Sequence, residues 1–417
     1  MNINIPLTFF TLRVKKVAAM IKRSIFNILC DEISGPEIII LLGARQVGKT
    51  TLMKELELHC QRNGLKTAFF DLEQPNQLAL FNQPEQDIQR MLGSAGDVVF
   101  IDEFQYIAHA SKIFKAIFDA AGKPKIVCSG SSSLEIHKHL KESLAGRRFL
   151  YRVYPLAFSE LQNQVGTDLD TYLTYGGMPG LTHAASDERR QQMLSELLST
   201  YILKDIRSLV KEENLRAFNH LLYLLAEREG SILSVHSAAN EISMSSKAVN
   251  RYLDLLEGTY VLFRLFSYSG NLGNELKKSC KTYFYDPGIR NALLRDFSGP
   301  RARSDRGALY ESFVFLSLSA RLKANMELKF WRTKDGQEVD FILLQNRRPF
   351  PVEVKTQLLS LQVPKGLAAF LKRYPETTQA FVVNRDITGM LKQGAADVRF
   401  LTFEELAGDD FFVLLNR

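Results

Sequence analysis

The sequence is poor in cysteine, proline and glycine. Its 417 residues include four cysteines, 13 prolines and 25 glycines. The cysteines form no Cys-x-x-Cys pair and have no histidine at ligand spacing, which argues against a disulfide framework and a zinc site. With 46% hydrophobic and 24% charged residues, the composition excludes a disordered chain and a fibrous repeat. We therefore expect a globular, cytoplasmic protein of two or three domains.

Long apolar runs are also missing. The longest, such as residues 38–42 and 98–101, fall far short of the roughly 18 residues that span a bilayer, so no membrane partner is expected. Between Phe9 and Leu29 the chain is basic and has no acidic residue, a composition that can be mistaken for a targeting peptide. We interpret this segment as an amphipathic helix packed on the next domain, within an N-terminal helical extension of residues 1–36.

Charges of the two signs are nearly balanced. Lys and Arg number 53 against 46 Asp and Glu, and the net charge of +7 permits an anionic partner without requiring one. Most of the excess lies between Arg264 and Arg306, where nine basic residues accompany four acidic ones. Phosphate contact and a merely solvated face are both open interpretations of this segment.

The strongest motif follows an apolar strand that begins after Glu37. The run Gly43-Ala-Arg-Gln-Val-Gly-Lys-Thr50 leads into a helical pattern, which is the strand, loop and helix context of a P-loop. Backbone N–H groups would wrap the phosphates of ATP, Lys49 would reach the β- and γ-phosphates, and the Thr50 hydroxyl would bind Mg²⁺. The predicted ATP-binding residues are Gly43, Ala44, Arg45, Gln46, Val47, Gly48, Lys49, Thr50, Thr51 and Ser131.

Residues 97–105 predict a second buried strand that ends in adjacent acids about fifty residues after the P-loop. We predict that Asp102 binds Mg²⁺ and that Glu103 polarises the attacking water, a pair that favours hydrolysis over a kinase reaction. A third strand from Lys125 runs into Ser129 and Ser131, one of which would sense the γ-phosphate. A Ser-rich turn with a helix N-cap is the alternative.

Strands alternate with helical segments over residues 37–155, which predicts a doubly wound parallel α/β core. Six segments carry a resemblance in order along the chain: residues 43–52, 100–105, 130–133, 144–148, 154–160 and 175–179. They resemble prokaryotic AAA-type ATPases of the AAA+ superfamily, whose ASCE-class P-loop NTPase domain is followed by a C-terminal domain of unknown function. The resemblance implies ATP binding and hydrolysis, an AAA+ core over residues 37–165, and action as a homo-oligomer such as a hexamer.

Two arginines follow the third strand. Arg147 could reach the γ-phosphate bound by a neighbouring subunit, as an arginine finger does, and would then be a catalytic residue beside Lys49 and Glu103. The alternative is that Arg147 and Arg148 form a solvated or salt-bridged pair.

Residues 166–268 are predicted to form a helical lid and a winged helix-turn-helix. Apolar residues recur at three- and four-residue steps from Thr171 to Leu256. Residues 234–257 indicate a short helix, a Ser-rich turn and a longer helix, followed by a strand-like segment at 260–266. Contact with other subunits is the alternative role. The candidate DNA contacts, on the longer helix and in the basic segment, are Lys247, Asn250, Arg251, Lys277 and Lys278.

The last predicted domain, residues 269–417, contains a pattern of acids and a lysine. Glu311 lies on a predicted helix and Asp340 on a strand. After a spacer of twelve residues, Glu353 and Lys355 share one face of the next strand. This resembles the α/β restriction-endonuclease-like PD-(D/E)XK core. The resemblance implies that the three carboxylates bind a metal and that the lysine orients or deprotonates a water, although the fold alone does not establish activity. We expect Trp331 to be a core residue.

Three functions compete at this point. The first is an AAA+ ATPase that couples ATP hydrolysis with Mg²⁺ to DNA binding or remodelling. The second is an ATP-coupled DNA endonuclease that uses the C-terminal acids. The third is a nucleotide-dependent switch or scaffold that acts on a protein partner. The first is preferred because the nucleotide motif, the helix-turn-helix pattern and the basic segment all favour it.

Overall fold

The computed structural model describes residues 21–120, 124–131, 144–200, 214–269 and 280–415. Within these ranges, no helix combines the length and the apolar composition that a membrane crossing requires. Lys277, Lys278 and residues 9–20 of the basic N-terminal segment lie outside the described residues.

The first unit is a parallel five-stranded sheet with the order β2-β3-β4-β1-β5. Strands β1, β3 and β4 are buried along their whole length, which explains the apolar runs at residues 38–42, 98–101 and 126–128. Because β4 lies between β1 and β3, the carboxyl ends of these three strands meet at one edge of the sheet. The strands are β1 (Ile38–Leu42), β2 (Thr67–Asp71), β3 (Val98–Asp102), β4 (Lys125–Gly130) and β5 (Arg148–Arg152).

Helices pack against this sheet and complete its core. Leu29 on the first helix is fully buried among residues of the sheet and of the second helix. The helices are α1 (Ile25–Glu32), α2 (Lys49–Arg62), α3 (Pro75–Ala79), α4 (Glu85–Ala95) and α5 (Ala110–Asp119). The prediction of a parallel α/β core is therefore confirmed.

The second unit is mainly helical and contains a small antiparallel sheet with the order β6-β8-β7. Ser234 and Ser245 cap two successive helices, since each side chain accepts a hydrogen bond from a backbone N–H three residues later. The elements are α6 (Phe158–Val165), α7 (Leu169–Tyr175), α8 (Asp187–Leu197), α9 (Leu215–Glu227), β6 (Ile232–Leu233), α10 (Val235–Glu241), α11 (Ser246–Gly258), β7 (Leu262–Phe266), β8 (Cys280–Phe284) and α12 (Pro287–Leu294). The predicted boundary between residues 268 and 269 passes through this sheet, between β7 and β8.

The third unit is a mixed sheet with the order β13-β14-β12-β11-β10-β9. Strands β9, β10 and β11 are antiparallel, whereas β11, β12 and β14 run parallel. Trp331 is buried against Phe370, which confirms it as a core residue. The elements are α13 (Arg306–Ser319), β9 (Met326–Arg332), β10 (Glu338–Gln345), β11 (Arg348–Val354), α14 (Lys365–Arg373), β12 (Gln379–Asn384), β13 (Gly389–Gln393), β14 (Ala396–Thr402), α15 (Phe403–Ala407) and α16 (Phe411–Leu414).

The second and third units are joined along their sheets. Ser267, just after β7, forms a parallel bridge with Phe330 on β9. Side chains of β8 also reach α13 and β10, because Lys281 forms ion pairs with Glu311 and Glu338. Strand β8 therefore belongs to the small sheet by its backbone and contacts the large one by its side chains.

Candidate functional site

The P-loop of residues 43–48 connects β1 to α2 and turns sharply. Gln46 and Gly48 adopt left-handed backbone conformations, with φ of 61° and 92°. At Gly43 a Cβ would lie 2.2 Å from the Val153 carbonyl oxygen, so this position requires glycine. The backbone at Gly43 thus passes too close to Val153 for any side chain, and the loop then leads directly into the N-terminus of α2.

Lys49 begins α2 and folds back over the loop. Its Nζ donates hydrogen bonds to the carbonyl oxygens of Gly43, at 3.0 Å, and Ala44, at 2.9 Å. Burial lowers the pKa of the Lys49 ammonium, and the carboxylates of Glu103 and Asp102 oppose that change. An anionic phosphate at this point would stabilise the charged form of Lys49 directly.

A cavity of about 620 Å³ lies in front of the loop. The predicted residues that line it are Arg45, Gln46, Gly48, Lys49, Thr50, Thr51 and Glu103. Val47 points into the core instead, and Gly43 and Ala44 contribute the carbonyl oxygens that hold Lys49. The cavity therefore presents backbone N–H groups, a lysine, hydroxyls and one of the two predicted acids to a ligand.

The acid pair lies at the end of β3, beside the end of β4. Asp102 is buried, and its Oδ1 accepts a short hydrogen bond from the Ser129 hydroxyl. Glu103 has a left-handed backbone conformation, with φ of 56°. Its Oε2 accepts hydrogen bonds from the backbone N–H of Ser131, at 3.2 Å, and from the Gln105 side chain. Ser129 thus supports Asp102, whereas Ser131 and Gln105 orient Glu103.

The donor atoms at this edge suit Mg²⁺. Thr50 offers a hydroxyl and Asp102 a carboxylate, and oxygen is the ligand atom that Mg²⁺ prefers. In the described part of the chain, no group of three His, Cys, Asp or Glu residues is arranged to hold a metal by itself. A metal here would be held jointly by Thr50, Asp102 and the phosphates of the nucleotide, as is usual for Mg²⁺ in such sites.

Arg23 is a residue of this site that the sequence analysis did not identify. Its guanidinium donates to the carbonyl oxygen of Val47, at 2.9 Å, and to that of Tyr154, at 2.7 Å. Its Nε lies 3.3 Å from Oε2 of the buried Glu160, which also accepts from the Ser24 N–H and hydroxyl. Arg23 thereby fixes the P-loop to the chain that follows β5.

Removing this guanidinium should weaken ATP binding. Arg23→Met removes the ion pair with Glu160 and the hydrogen bonds to the Val47 and Tyr154 carbonyls, and hydrogen bonds from a charged donor contribute about 1.5–3 kcal/mol each. We expect the dissociation constant for ATP to rise roughly tenfold or more, measured by titration with a fluorescent nucleotide. Arg90→Met, which breaks an exposed pair with Asp87, is the matched control and should bind ATP normally. Equal affinities would contradict the anchoring role.

A loop of the second unit also borders the cavity. Pro179, Gly180 and His183 line the cavity, and the preceding Gly177 donates its N–H to Oδ2 of Asp286 at 2.7 Å. Asp286 is buried, and burial raises its pKa to about 6 although backbone N–H groups oppose the shift. This loop is the Tyr-Gly-Gly-Met-Pro motif, and its contact with Asp286 ties the rim of the cavity to the start of α12.

Arg147 lies away from the cavity of its own chain. Its carbonyl oxygen accepts from the N–H of Ile38 at the start of β1, which is the opposite edge of the sheet from the P-loop. Its side chain pairs with Asp119 at 2.8 Å. The finger role thus concerns only a neighbouring subunit and stays a prediction.

The C-terminal acids converge where β10, β11 and α13 meet. Lys355 Nζ lies 2.7 Å from Glu353 Oε1, and Asp340 Oδ2 accepts from the Val354 N–H at 2.8 Å. Burial, followed by the charge of Asp340, raises the pKa of Glu311 to about 7 and that of Glu353 to about 8. The sequence analysis did not identify Lys281, which lies on β8 and contacts these acids.

The candidate DNA contacts on α11 are all exposed: Lys247, Asn250 and Arg251. In the basic segment, by contrast, several of the charges that the structure describes are taken up by ion pairs. Arg264 pairs with Asp254 and Glu257. Three more of its basic residues are buried in ion pairs inside the protein: Lys281, Arg290 and Arg303.

Known families match three consecutive parts of the chain. Residues 35–162 match the family described as AAA domain. Residues 166–299 and 306–397 match two families described as domains of unknown function, DUF8612 and DUF4143 respectively. The first match coincides with the parallel sheet and its P-loop, and the other two coincide with the second and third units.

Relatives occur in bacteria and archaea. An uncharacterized protein of Mycobacterium tuberculosis is 26% identical over 321 residues, which cover 76% of this chain and 70% of the relative. An uncharacterized protein of Methanocaldococcus jannaschii is 24% identical over 388 residues, which cover 87% of this chain and 83% of the relative.

Solved structures resemble the chain more distantly. The Walker-type ATPase of Pyrococcus abyssi has a TM-score of 0.47 and 16% identity, and the match covers 66% of this chain and 96% of that one. The replication initiator DnaA, bound to AMPPCP and single-stranded DNA, has a TM-score of 0.31 and 13% identity, with 57% of this chain and 90% of that one covered.

Proposed function

Because residues 35–162 form an AAA-type P-loop ATPase domain, we propose that the protein binds and hydrolyses ATP with Mg²⁺ and couples this reaction to engaging DNA as a homo-oligomer. The observation that carries the ATPase part is the position of Glu103. Its carboxylate borders the same cavity as Lys49 and Thr50 and is oriented by Ser131 and Gln105. A carboxylate held at the phosphate end of the cavity is placed to polarise a water that attacks the γ-phosphate.

Each residue of the site then has a distinct task. The loop N–H groups and Lys49 bind the phosphates, and Mg²⁺, when bound through Thr50 and Asp102, neutralises charge that develops on them. Ser129 keeps the Asp102 carboxylate in place through its hydroxyl. Ser131 positions Glu103 through its backbone N–H, so a shift of the β4 end on loss of the γ-phosphate would alter the orientation of the base.

The proposal of DNA binding is supported by the exposed face of α11. From α9 to β8 the second unit has the order helix, strand, two helices and two strands. Helix α11 is the second of the two helices and follows the Ser-rich turn. Lys247, Asn250 and Arg251 project from α11 into solvent. A winged helix presents its second helix to the major groove, where such side chains contact phosphates and base edges.

Alanine at these three positions of α11 should weaken DNA binding and abolish DNA stimulation of the ATPase. Two cations are removed, so we expect the slope of log affinity against log salt to fall by about 2. Fluorescence anisotropy over a salt series and ATPase assays with single-stranded, duplex and forked DNA test this. The control is Lys112→Ala/Lys115→Ala, which removes the same charge from exposed positions on α5.

If no DNA form changed the ATPase rate and DNA binding showed no steep salt dependence, the third function, a nucleotide-dependent switch or scaffold, would be favoured. In that case the nucleotide state would act on a protein partner. The ATPase proposal itself would stand, since it depends on the cavity and not on α11.

A further inference from the structure

The acidic cluster of the third unit, formed by Glu311, Glu338 and Asp340, already contains the ammonium group of Lys281. Lys281 on β8 is 2% exposed, and its Nζ lies 2.9 Å from Oε1 of Glu311 and 2.5 Å from Oε1 of Glu338. Oδ1 of Asp340 is 4.0 Å away. The ring of Phe330 adds a cation–π contact, with its centroid 5.5 Å from Nζ. The ammonium thus lies against two of the three carboxylates predicted to bind a metal, Glu311 and Asp340, and against Glu338.

A divalent metal does not fit beside this ammonium. Mg²⁺ would require oxygen ligands at about 2.0–2.1 Å, but Glu311 already accepts from Lys281 and, at 2.6 Å, from the Tyr283 hydroxyl. Two positive ions in one buried cluster would also repel each other strongly, because charges interact more strongly away from water.

The small sheet of the second unit also covers the cluster. Lys281 and Tyr283 are two residues apart on β8 and both contact Glu311. A Cβ on Gly230, just before β6, would lie 3.3 Å from the Glu311 carboxylate. Glu311 and Asp340 keep only 17% and 16% of their side-chain surface exposed. A scissile phosphate would have to displace part of the second unit to reach these carboxylates.

We infer that Lys281 occupies the place of the nuclease metal and that the cluster holds no divalent ion. Instead, its ion pairs join the second and third units, and we call this cluster of Lys281, Glu311, Glu338 and Asp340 the lock. Lys281 anchors the lock through β8, whose backbone pairs with β6 and β7. Asp286 follows β8 and holds Gly177 at the rim of the nucleotide cavity. One short segment therefore contacts both the nucleotide cavity and the third unit. This inference stands apart from the proposed ATPase activity.

Counting bound Mn²⁺ tests the inference. The full chain carrying Lys49→Ala and Asp102→Ala, which disable the nucleotide site, should bind no Mn²⁺ at the cluster when free Mn²⁺ is measured by electron paramagnetic resonance. Adding Lys281→Met should create one Mn²⁺ site per chain, and further adding Asp340→Asn should remove it. Lys329→Met changes a lysine on neighbouring β9 that pairs with Glu327, so it should create no site.

Two results would overturn the inference. One is a Mn²⁺ site in the chain that retains Lys281, abolished by Asp340→Asn; this measurement does not depend on whether Lys281→Met folds. The other is a folded Lys281→Met variant that gains no Mn²⁺. Plasmid cleavage is a second readout: with Mn²⁺ and ATP present, the native chain and Asp340→Asn should leave DNA equally intact. Cleavage that Asp340→Asn removes would contradict the lock.

Discussion

Glu103→Gln is expected to lower the turnover number for ATP by roughly 100-fold to 10,000-fold while ATP still binds. General base catalysis contributes an effect of this size, and glutamine cannot accept the proton. The amide keeps the shape of the side chain and an oxygen that can accept from Ser131, so the cavity should be preserved. Phosphate release measures turnover, and titration with a fluorescent nucleotide measures binding.

Two further variants make this result specific. Lys49→Ala should lose both ATP binding and turnover, because Lys49 is the buried cation of the P-loop that would bind the phosphates. Glu73→Gln is the matched control, since Glu73 also lines the cavity but has no contact with Ser131. We expect Glu73→Gln to hydrolyse ATP at close to the native rate. If it were as slow as Glu103→Gln, or if Glu103→Gln retained turnover, Glu103 would not be the base.

The P-loop and the cavity in front of it were predictable because their residues lie on short, contiguous motifs. A P-loop needs only a strand, six loop residues and a helix, so Gly43 to Thr50 carry the whole signal. The position of Glu103 followed in the same way, because parallel strands bring their carboxyl ends to one edge of a sheet. The structure adds the roles of Ser129 and Gln105, which depend on side-chain geometry.

Long-range contacts were not predictable. Arg23 reaches Tyr154, 131 residues away, and no local pattern marks such a pair. Lys281 was counted among the surplus basic residues of its segment, yet its charge is used inside the protein by Glu311 and Glu338. Composition counts charges without regard to burial, so it cannot separate a positive surface from a set of internal ion pairs.

Arg290→Met is expected to destabilise the protein by about 3–5 kcal/mol, the usual cost of removing one partner from a buried ion pair. Arg290 on α12 is fully buried, with its Nε 2.8 Å from Glu229 Oε2 and its Nη1 2.8 Å from Asp305 Oδ2. It also donates to the Ala226 carbonyl at 3.0 Å. These partners lie at the end of α9, just before β6 and at the start of α13, so one guanidinium joins the second unit to the third.

The loss should come mainly from Glu229, which is left buried without a cation. Burial raises the pKa of Glu229 and the Arg290 guanidinium opposes that rise, so Glu229 is expected to be protonated in the variant.

Urea unfolding followed by tryptophan fluorescence measures this loss of stability and reports on Trp331 in the third unit. Arg90→Met breaks an exposed pair with Asp87 and should cost less than about 0.5 kcal/mol. Glu229→Gln/Arg290→Met should recover part of the stability, because the unpaired carboxylate is gone. If Arg290→Met unfolded at the same urea concentration as Arg90→Met, the second and third units would not depend on this ion pair, and their cohesion would lie with the Lys281 cluster and the Ser267 bridge.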